Sequence, residues 1–461
     1  MLPGRPFTFD AFLEQVQRNH PVVKQARLIA DGADGDVTSA LGRFEPKFEA
    51  SWQVKKFGTT AASPQTLYYN YADVALKIPT PFGADFKVGY ERASGAFINP
   101  QNRTPANGLF SAGFSLPLGQ GLLTDERRTA LRVARALRNV ADAERASLTN
   151  KLLYTAAKAY SDWYSTGLQL QVVRDGVELA ETRYDAIARR VVAGDAAGID
   201  SIEAAAELNR RRAQLQGSQQ EFFTAAMELT SYLWDARTQP LELAPGVVPS
   251  DSGLAPAVLD SAAIPALLAR VVARHPDVLK AEGKRDQAAA DVTLARQAVI
   301  PLASADLSAL RTGVGNDFAF GEALQRDANY KAALSVSSPL LFLKERGKLR
   351  STDAKLDGAD LETRAARRDV TLLVRAAIYD LSQYGAQLAL QREAVRLYRI
   401  LSAGERAKFD VGESTLFLVN TRERQVLDEE LKYVSLQAKY LAARAALAVA
   451  AGVPGRLPEL R

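Results

Sequence analysis

The sequence predicts a mainly α-helical chain, built twice over, with about six β-strands set between long helices. Three observations carry this. Four stretches between Lys47 and Leu118 alternate apolar and polar residues with period two, which gives a strand one apolar and one polar face. Long runs without proline place apolar residues every three to four positions, as in Leu168, Leu170, Val173, Val177 and Ala180. Landmarks of the first half return in the second at fixed spacing.

Composition sets the bounds. The chain has 461 residues, is 47% hydrophobic and 24% charged, and carries +5 at pH 7, too mild a balance to argue for nucleic acid. No window holds the roughly 18 uninterrupted apolar residues of a spanning helix, so any membrane role must come through strands. There is no cysteine, which excludes thiol chemistry and disulfides. The opening Met1-Leu2-Pro3-Gly4-Arg5-Pro6 is not a basic segment followed by an apolar run, so export would require that a signal had been removed.

In chain order, Phe9–Arg18 reads as a short amphipathic helix ending at His20-Pro21. A second helix runs from Val22 to about Phe44 and stops at Pro46. The strand block 47–118 follows. Its apolar positions are Phe48, Ala50, Trp52 and Val54; then Ala72, Val74, Leu76 and Ile78; then Phe86, Val88 and Tyr90; and last Phe110, Ala112, Phe114 and Leu116. The polar positions between them include Lys47, Glu49, Asp73, Lys77 and Lys87. Pro79–Gly83 is a turn, and 99–108 a polar loop. Thr124 is the expected N-cap of a long helix, with Asp125 and Glu126 in its first turn. The helical run 125–234 is expected to fold as a hairpin. A Pro/Gly/Ser-rich linker spans 236–260.

The chain then repeats. His20-Pro21 recurs as His275-Pro276 and Pro46 as Pro301, a common offset of 255 (276 − 21). Asp162/Asp380, Gly167/Gly385 and Gly194/Gly412 match at 218 (380 − 162). The offset shrinks because the second strand block, 302–338, holds two strands instead of four. The expected organisation is a first repeat 1–235, the linker, a second repeat 261–455 with its helical hairpin at 345–450, and a tail 456–461.

The strands admit two readings: a soluble β-layer in a structural coiled-coil or tethering protein, or segments of a transmembrane β-barrel with lipid outside and a wet lumen inside. Six strands cannot close a spanning barrel alone, whereas strands pooled from several identical chains can.

In the order of its parts the chain resembles the TolC-like outer-membrane factors, the exit ducts of efflux pumps and type I secretion systems. The residues that carry the resemblance are Asn19-His20-Pro21, Phe44-Glu45-Pro46, Ser115-Leu116-Pro117-Leu118, and the helix relaxation Arg190–Gly194, answered by Lys408–Leu416. The resemblance implies a homotrimer in the outer membrane of a Gram-negative bacterium, with its helical part in the periplasm. It also implies a periplasmic adaptor, an inner-membrane transporter of RND, ABC or MFS type, contact with outer-membrane lipid, and no catalysis or cofactor. The sequence departs from the commonest pattern, two strands from each half, by the extra hairpin Tyr68–Tyr90. Included in the wall, it would give about eighteen strands per closed barrel.

The candidate functional residues come in duplicated pairs. Gly167 and Gly385 are expected to mark the hairpin tips, where the helices reverse and an adaptor docks. Asp162 and Asp380, just before them, would form carboxylate rings at a closed tip, a cation-favouring gate. Gly194 and Gly412 are expected to mark an equatorial belt where the helix breaks. His20 and His275 have no ligand cluster around them, so no metal is expected. No GxSxG, P-loop or HExxH motif supports an enzyme.

Overall fold

The structure, a computed structural model, describes residues 7–58, 66–95, 98–243, 247, 249–250, 261–312 and 329–452. The tail expected at 456–461 and much of the linker (244–246, 248 and 251–260) lie outside the described residues. In chain order the elements are β1 (Phe7–Thr8), α1 (Phe9–Asn19), α2 (Pro21–Leu41), β2 (Lys47–Gly58), β3 (Thr66–Pro79), β4 (Asp85–Ser94), β5 (Leu109–Pro117), α3 (Glu126–Val192) and α4 (Gly198–Thr230). The second half supplies β6 (Pro249–Ser250), α5 (Ile264–Val272), α6 (Pro276–Gln297), β7 (Leu302–Thr312), β8 (Tyr330–Ser337), α7 (Leu343–Asp410) and α8 (Leu416–Ala450). Helix α1 matches α5, α2 matches α6, α3 matches α7 and α4 matches α8. At ~1.5 Å per residue, the 67-residue α3 is about 100 Å long.

Two compact units compose the chain, and each draws on both repeats. One takes Met1–Ile29, Asp142–Leu279 and Arg364–Arg461; the other takes Ala30–Ala141 and Lys280–Thr363.

The second unit contains one antiparallel six-stranded sheet in the order β2-β3-β4-β5-β7-β8. The extra hairpin is part of this sheet: β3 and β4 lie between β2 and β5. Because side chains alternate along each strand, cross-strand rows tend to keep one character near the middle of the sheet, while Arg92 and Arg311 enter the apolar side opposite Ala72 and Phe110. One row runs Phe48, Leu76, Val88, Ala112, Ala309; the neighbouring row runs Lys47, Lys77, Lys87, Gly113, Ser308. Glu49 pairs with Lys77 at 2.6 Å on the polar face, and Tyr71 donates to Glu91 at 2.9 Å. The apolar face is open. Phe48 and Trp52 are each 72% exposed, and Val54, Val74, Leu334 and Val336 are exposed too. Strands β2 and β8 each pair on one side only among the described residues.

The first unit is held by helix packing. Phe12, Val16, Tyr160, Trp163, Leu229 and Leu233 form one buried cluster, and Leu267, Val278, Val374, Leu381, Tyr440 and Leu447 form another. The Tyr160 hydroxyl donates to the Phe7 carbonyl at 2.6 Å, tying β1 to α3.

The His-Pro pair has a structural task. The imidazole Nδ1 of His20 accepts from the backbone N–H of Val22, and that of His275 accepts from Asp277, each at 3.2 Å, so each ring caps the helix that follows. Both rings are buried, and burial holds both pKa values below the ordinary 6.5, Asp277 partly opposing this at His275. Only the neutral ring can accept at Nδ1. The unfolded chain takes up these protons as pH falls through 6.5 while the fold resists, so stability declines from there down to the folded-state pKa values. His275→Asn keeps a capping acceptor without the titration. It is expected to flatten part of the acid side of the stability profile below pH 6.5, His20 supplying the rest, read as thermal midpoint against pH.

Candidate functional site

The helix reversals are the candidate site. Helix α3 ends in a Schellman motif: the Gly194 N–H donates to Val191 O at 3.1 Å and the Asp195 N–H to Arg190 O at 2.8 Å, with Gly194 at φ +84°. Helix α7 ends the same way. The Gly412 N–H donates to Phe409 O at 3.1 Å and the Glu413 N–H to Lys408 O at 2.8 Å, with Gly412 at φ +82°. Both glycines sit where an L side chain would be strained. The chain restarts with Thr415 capping α8, its hydroxyl accepting from Leu418 N–H. Contacts across each hairpin confirm the reversal: Arg211 on α4 donates to Gly176 O on α3 at 2.9 Å, and Gln391 on α7 donates to Glu429 on α8 at 2.5 Å.

This corrects two assignments. The helices do not reverse at Gly167 and Gly385, which lie inside α3 and α7. They reverse at Gly194 and Gly412, which are therefore not belt positions. The apolar periodicity through Leu168, Val173 and Val177 keeps α3 helical, and an interior glycine costs only ~1 kcal/mol. A glycine that a helix tolerates and one that ends it look alike in sequence; only the latter has the left-handed φ.

Gly167 instead makes room. A Cβ there would lie 3.0 Å from Pro249 Cγ and 3.2 Å from Phe222 Cε2, whereas one at Gly385 would meet Tyr440 at an ordinary 3.6 Å. Gly385→Ala is expected to stabilise by up to about 1 kcal/mol. Gly167→Ala should crowd Pro249 and Phe222 and lose roughly 1 kcal/mol. The two thermal midpoints should move in opposite directions.

Asp162 and Asp380 are each 32 residues before the reversing glycine (194 − 162 and 412 − 380), about 48 Å along the helix. Both lie on exposed helix faces. A carboxylate ring built from either would not stand at the tip, so the tip-gate assignment loses its geometric basis.

Between the two hairpins lies a group of charges that the sequence did not single out. Glu423 on α8, with only 3% of its side chain exposed, binds Arg183 of α3 through both carboxylate oxygens, Arg406 of α7 at 2.7 Å and Arg211 of α4 at 3.5 Å. Asn420, one turn away, accepts from Arg183 at 3.0 Å and donates to Glu203 of α4 at 3.1 Å. Arg211, itself 2% exposed, is held also by Glu207 at 2.9 Å. Four helices thus share one buried carboxylate. Burial pushes the Glu423 pKa up, but the hydrogen bond and charge of Arg183, with Arg406, outweigh it and leave the pKa below the usual carboxylate value. Toward the reversals, Ile187, Ala204 and Leu416 form a small buried cluster flanked by Tyr184, Val191 and Phe409, and Arg190 lies over the Phe409 ring at 5.8 Å. Around the two turns Val192, Ile199, Ile202, Val411 and Phe417 are exposed, Val192 by 89%.

Helical spacing alone could have linked Glu207 with Arg211, four residues apart. Nothing in sequence joins Glu423 to Arg183, which are 240 positions away. Among the described residues no group of three or more metal-binding side chains comes together, and no helix is long and apolar enough to cross a membrane.

Residues 267–453 match the family model described as outer membrane efflux protein. No curated protein matches significantly in sequence. Solved structures match in fold. The outer-membrane channel OprN aligns with a TM-score of 0.69 and 16% identity, covering 97% of this chain and 90% of that one. The outer membrane protein VceC of Vibrio cholerae aligns at 0.66 and 15%, covering 97% of both. The open state of the Neisseria gonorrhoeae MtrE outer membrane channel aligns at 0.67 and 16%, covering 96% and 89%.

Proposed function

We infer that this chain, with the outer membrane efflux protein domain over residues 267–453 and the fold of TolC-like outer-membrane factors, is the passive exit channel of a tripartite efflux assembly. The observation that supports this most is the sheet. Its apolar face is exposed on β2, β3, β4 and β8 and half-buried on β5 and β7, and its two outer strands have unpaired edges among the described residues. A sheet of this kind is stable in lipid once its edges are closed by further copies. Three copies would supply about eighteen strands, within the range of outer-membrane barrels, with Lys77, Lys87 and Glu49 wetting the lumen. A soluble tethering protein would need a layer over Phe48, Trp52 and Leu334, and none is found among the described residues.

In this reading the helical hairpins lie in the periplasm and their reversals face the partners. The exposed Val192, Ile199, Val411 and Phe417 offer an apolar surface to a periplasmic adaptor, and an inner-membrane transporter supplies the energy. The chain contributes no chemistry; it conducts. Opening requires the two hairpins of each copy to shift relative to each other, and the Glu423 network resists that shift. Closed and open tips are then two packings of one chain, biased by the adaptor.

Planar-bilayer recording tests the reading. Purified protein should insert as discrete conducting units of low conductance that rises on adding the adaptor. A protein that stays monomeric and soluble without detergent, and never conducts, would overturn it.

A further inference from the structure

All four strand–helix junctions lie at one end of the sheet, the end marked by Lys47, Pro117, Leu302 and Ser337. Large apolar side chains stand open there, among them Phe82 and Leu123. The junction from β8 to α7 is the most open. Pro339 has no N–H to extend the ladder. Phe342 then turns the chain at φ +51°, a left-handed conformation that a bulky side chain rarely takes. Its carbonyl accepts from the Arg346 N–H at 2.9 Å, so this strained turn leads directly into α7. Around it Leu340, Leu341 and Leu343 are 97%, 68% and 73% exposed.

Helix α7 also begins against the dipole rule, which favours carboxylates in a first turn. Helix α3 obeys that rule. Asp125, rather than the expected Thr124, is its N-cap, accepting from the Arg128 N–H at 2.8 Å, and Glu126 follows. The Thr124 hydroxyl bonds that of Thr129 instead. Helix α7 opens with Lys344, Arg346, Lys348 and Arg350 against one carboxylate, Glu345. All four cations are exposed, and none makes an ion pair among the described residues. The positive end of the dipole disfavours them, and no ion pair offsets that. Arg350 is only about 10 Å along the axis from Leu343.

We propose that this junction binds anionic phospholipid headgroups. Leu340, Leu341 and Leu343 enter the bilayer surface, and Lys344, Arg346 and Arg350 meet the phosphates just outside it. Continuity and charge argue for lipid as the occupant. The leucines follow directly on Leu334 and Val336, exposed on the apolar face of β8. The cations come next, within a headgroup layer and one Debye length of the hydrocarbon. A phosphate beside them also removes the charge that the dipole disfavours. The proposal rests on the channel reading, which puts the sheet in lipid, and adds a preference for lipid of negative charge.

The test uses the full-length protein in phosphatidylcholine vesicles with a trace of spin-labelled phosphatidylglycerol or spin-labelled phosphatidylcholine. Paramagnetic resonance reads the fraction of each label that the protein holds immobile. The phosphatidylglycerol label should be enriched about threefold over the other at about 20 mM salt, and lose most of that enrichment at about 0.5 M. The triple variant Lys344→Gln, Arg346→Gln, Arg350→Gln should lose about half or more at low salt, Lys55 and Lys56 at the far end of β2 remaining. Its three positions are exposed and oppose the dipole, so its thermal midpoint should be unchanged or higher. Equal immobilisation of the two labels, or an enrichment unchanged in the variant, would overturn the proposal. An oligomer weakened by the variant with lipid preference intact would also overturn it, assigning the junction to a second copy. Insertion without lipid preference rejects this proposal alone, whereas failure to insert rejects the channel reading with it.

Discussion

Glu423→Gln is expected to destabilise the helical unit by about 3 kcal/mol, the lower end of the cost of breaking a buried ion pair from one side. The substitution keeps the shape and removes the charge. Arg183 is left largely buried without a counter-charge, facing Asn420 and a neutral amide whose NH2 cannot accept from it, while Arg211 retains Glu207. The loss should appear in chemical denaturation in detergent as a lower midpoint. In bilayers it should appear as higher resting conductance, because the four helices that hold the two hairpins together lose their shared negative charge and one of its two acceptor oxygens. Replacing Arg183 and Glu423 together with leucines should recover much of the stability, since no charge of that pair then remains buried. The pH dependence has a definite sign. The folded-state pKa lies below the ordinary 4.5, so the network's contribution is present above that value and lost as pH falls below it. This window lies on the acid side of the histidine effect.

Val74→Arg is the second large effect. Val74 is exposed near the middle of β3, in a row with Ala50, Tyr90 and Phe110 that ends on Arg311 of β7. If that row faces lipid, a guanidinium there costs about 2–4 kcal/mol near the bilayer centre. The neighbouring Asp73 points to the other face, and Asp73→Asn should leave assembly unchanged while altering ion selectivity. Heat-modifiable gel migration of the two variants after refolding into vesicles checks the contrast. If Val74→Arg assembled as well as Asp73→Asn, the apolar row would not face lipid.

The sequence and the structure agree most closely where structure is set by short-range alternation. Phe48, Trp52, Val74 and Val88 fall on one face because a strand has period two, and no distant partner is needed to read that. The duplicated His-Pro pairs fixed the starts of α2 and α6, and the offsets fixed which hairpin was extra. The reversals were legible only as a motif. Arg190–Gly194 and Lys408–Leu416 stood out by duplication, yet a glycine's left-handed φ is a backbone property that spacing does not encode. Gly167 and Gly385 carried the same duplication and no turn. Glu423 was not legible at all, because its partners come from α3, α4 and α7 and an isolated glutamate on a helix reads as surface.

The most direct measurement is a disulfide scan between the two outer strands. The chain has no cysteine, so every bridge formed is an introduced one. Single cysteines would be placed at positions 49 to 53 of β2 in combination with positions 333 to 335 of β8, and the protein oxidised in membranes. If β2 of one copy pairs with β8 of the next around a closed ring, some combinations will give covalent dimers and trimers and nothing larger. Bridges confined to single chains, or a ladder that continues past three, would contradict the account.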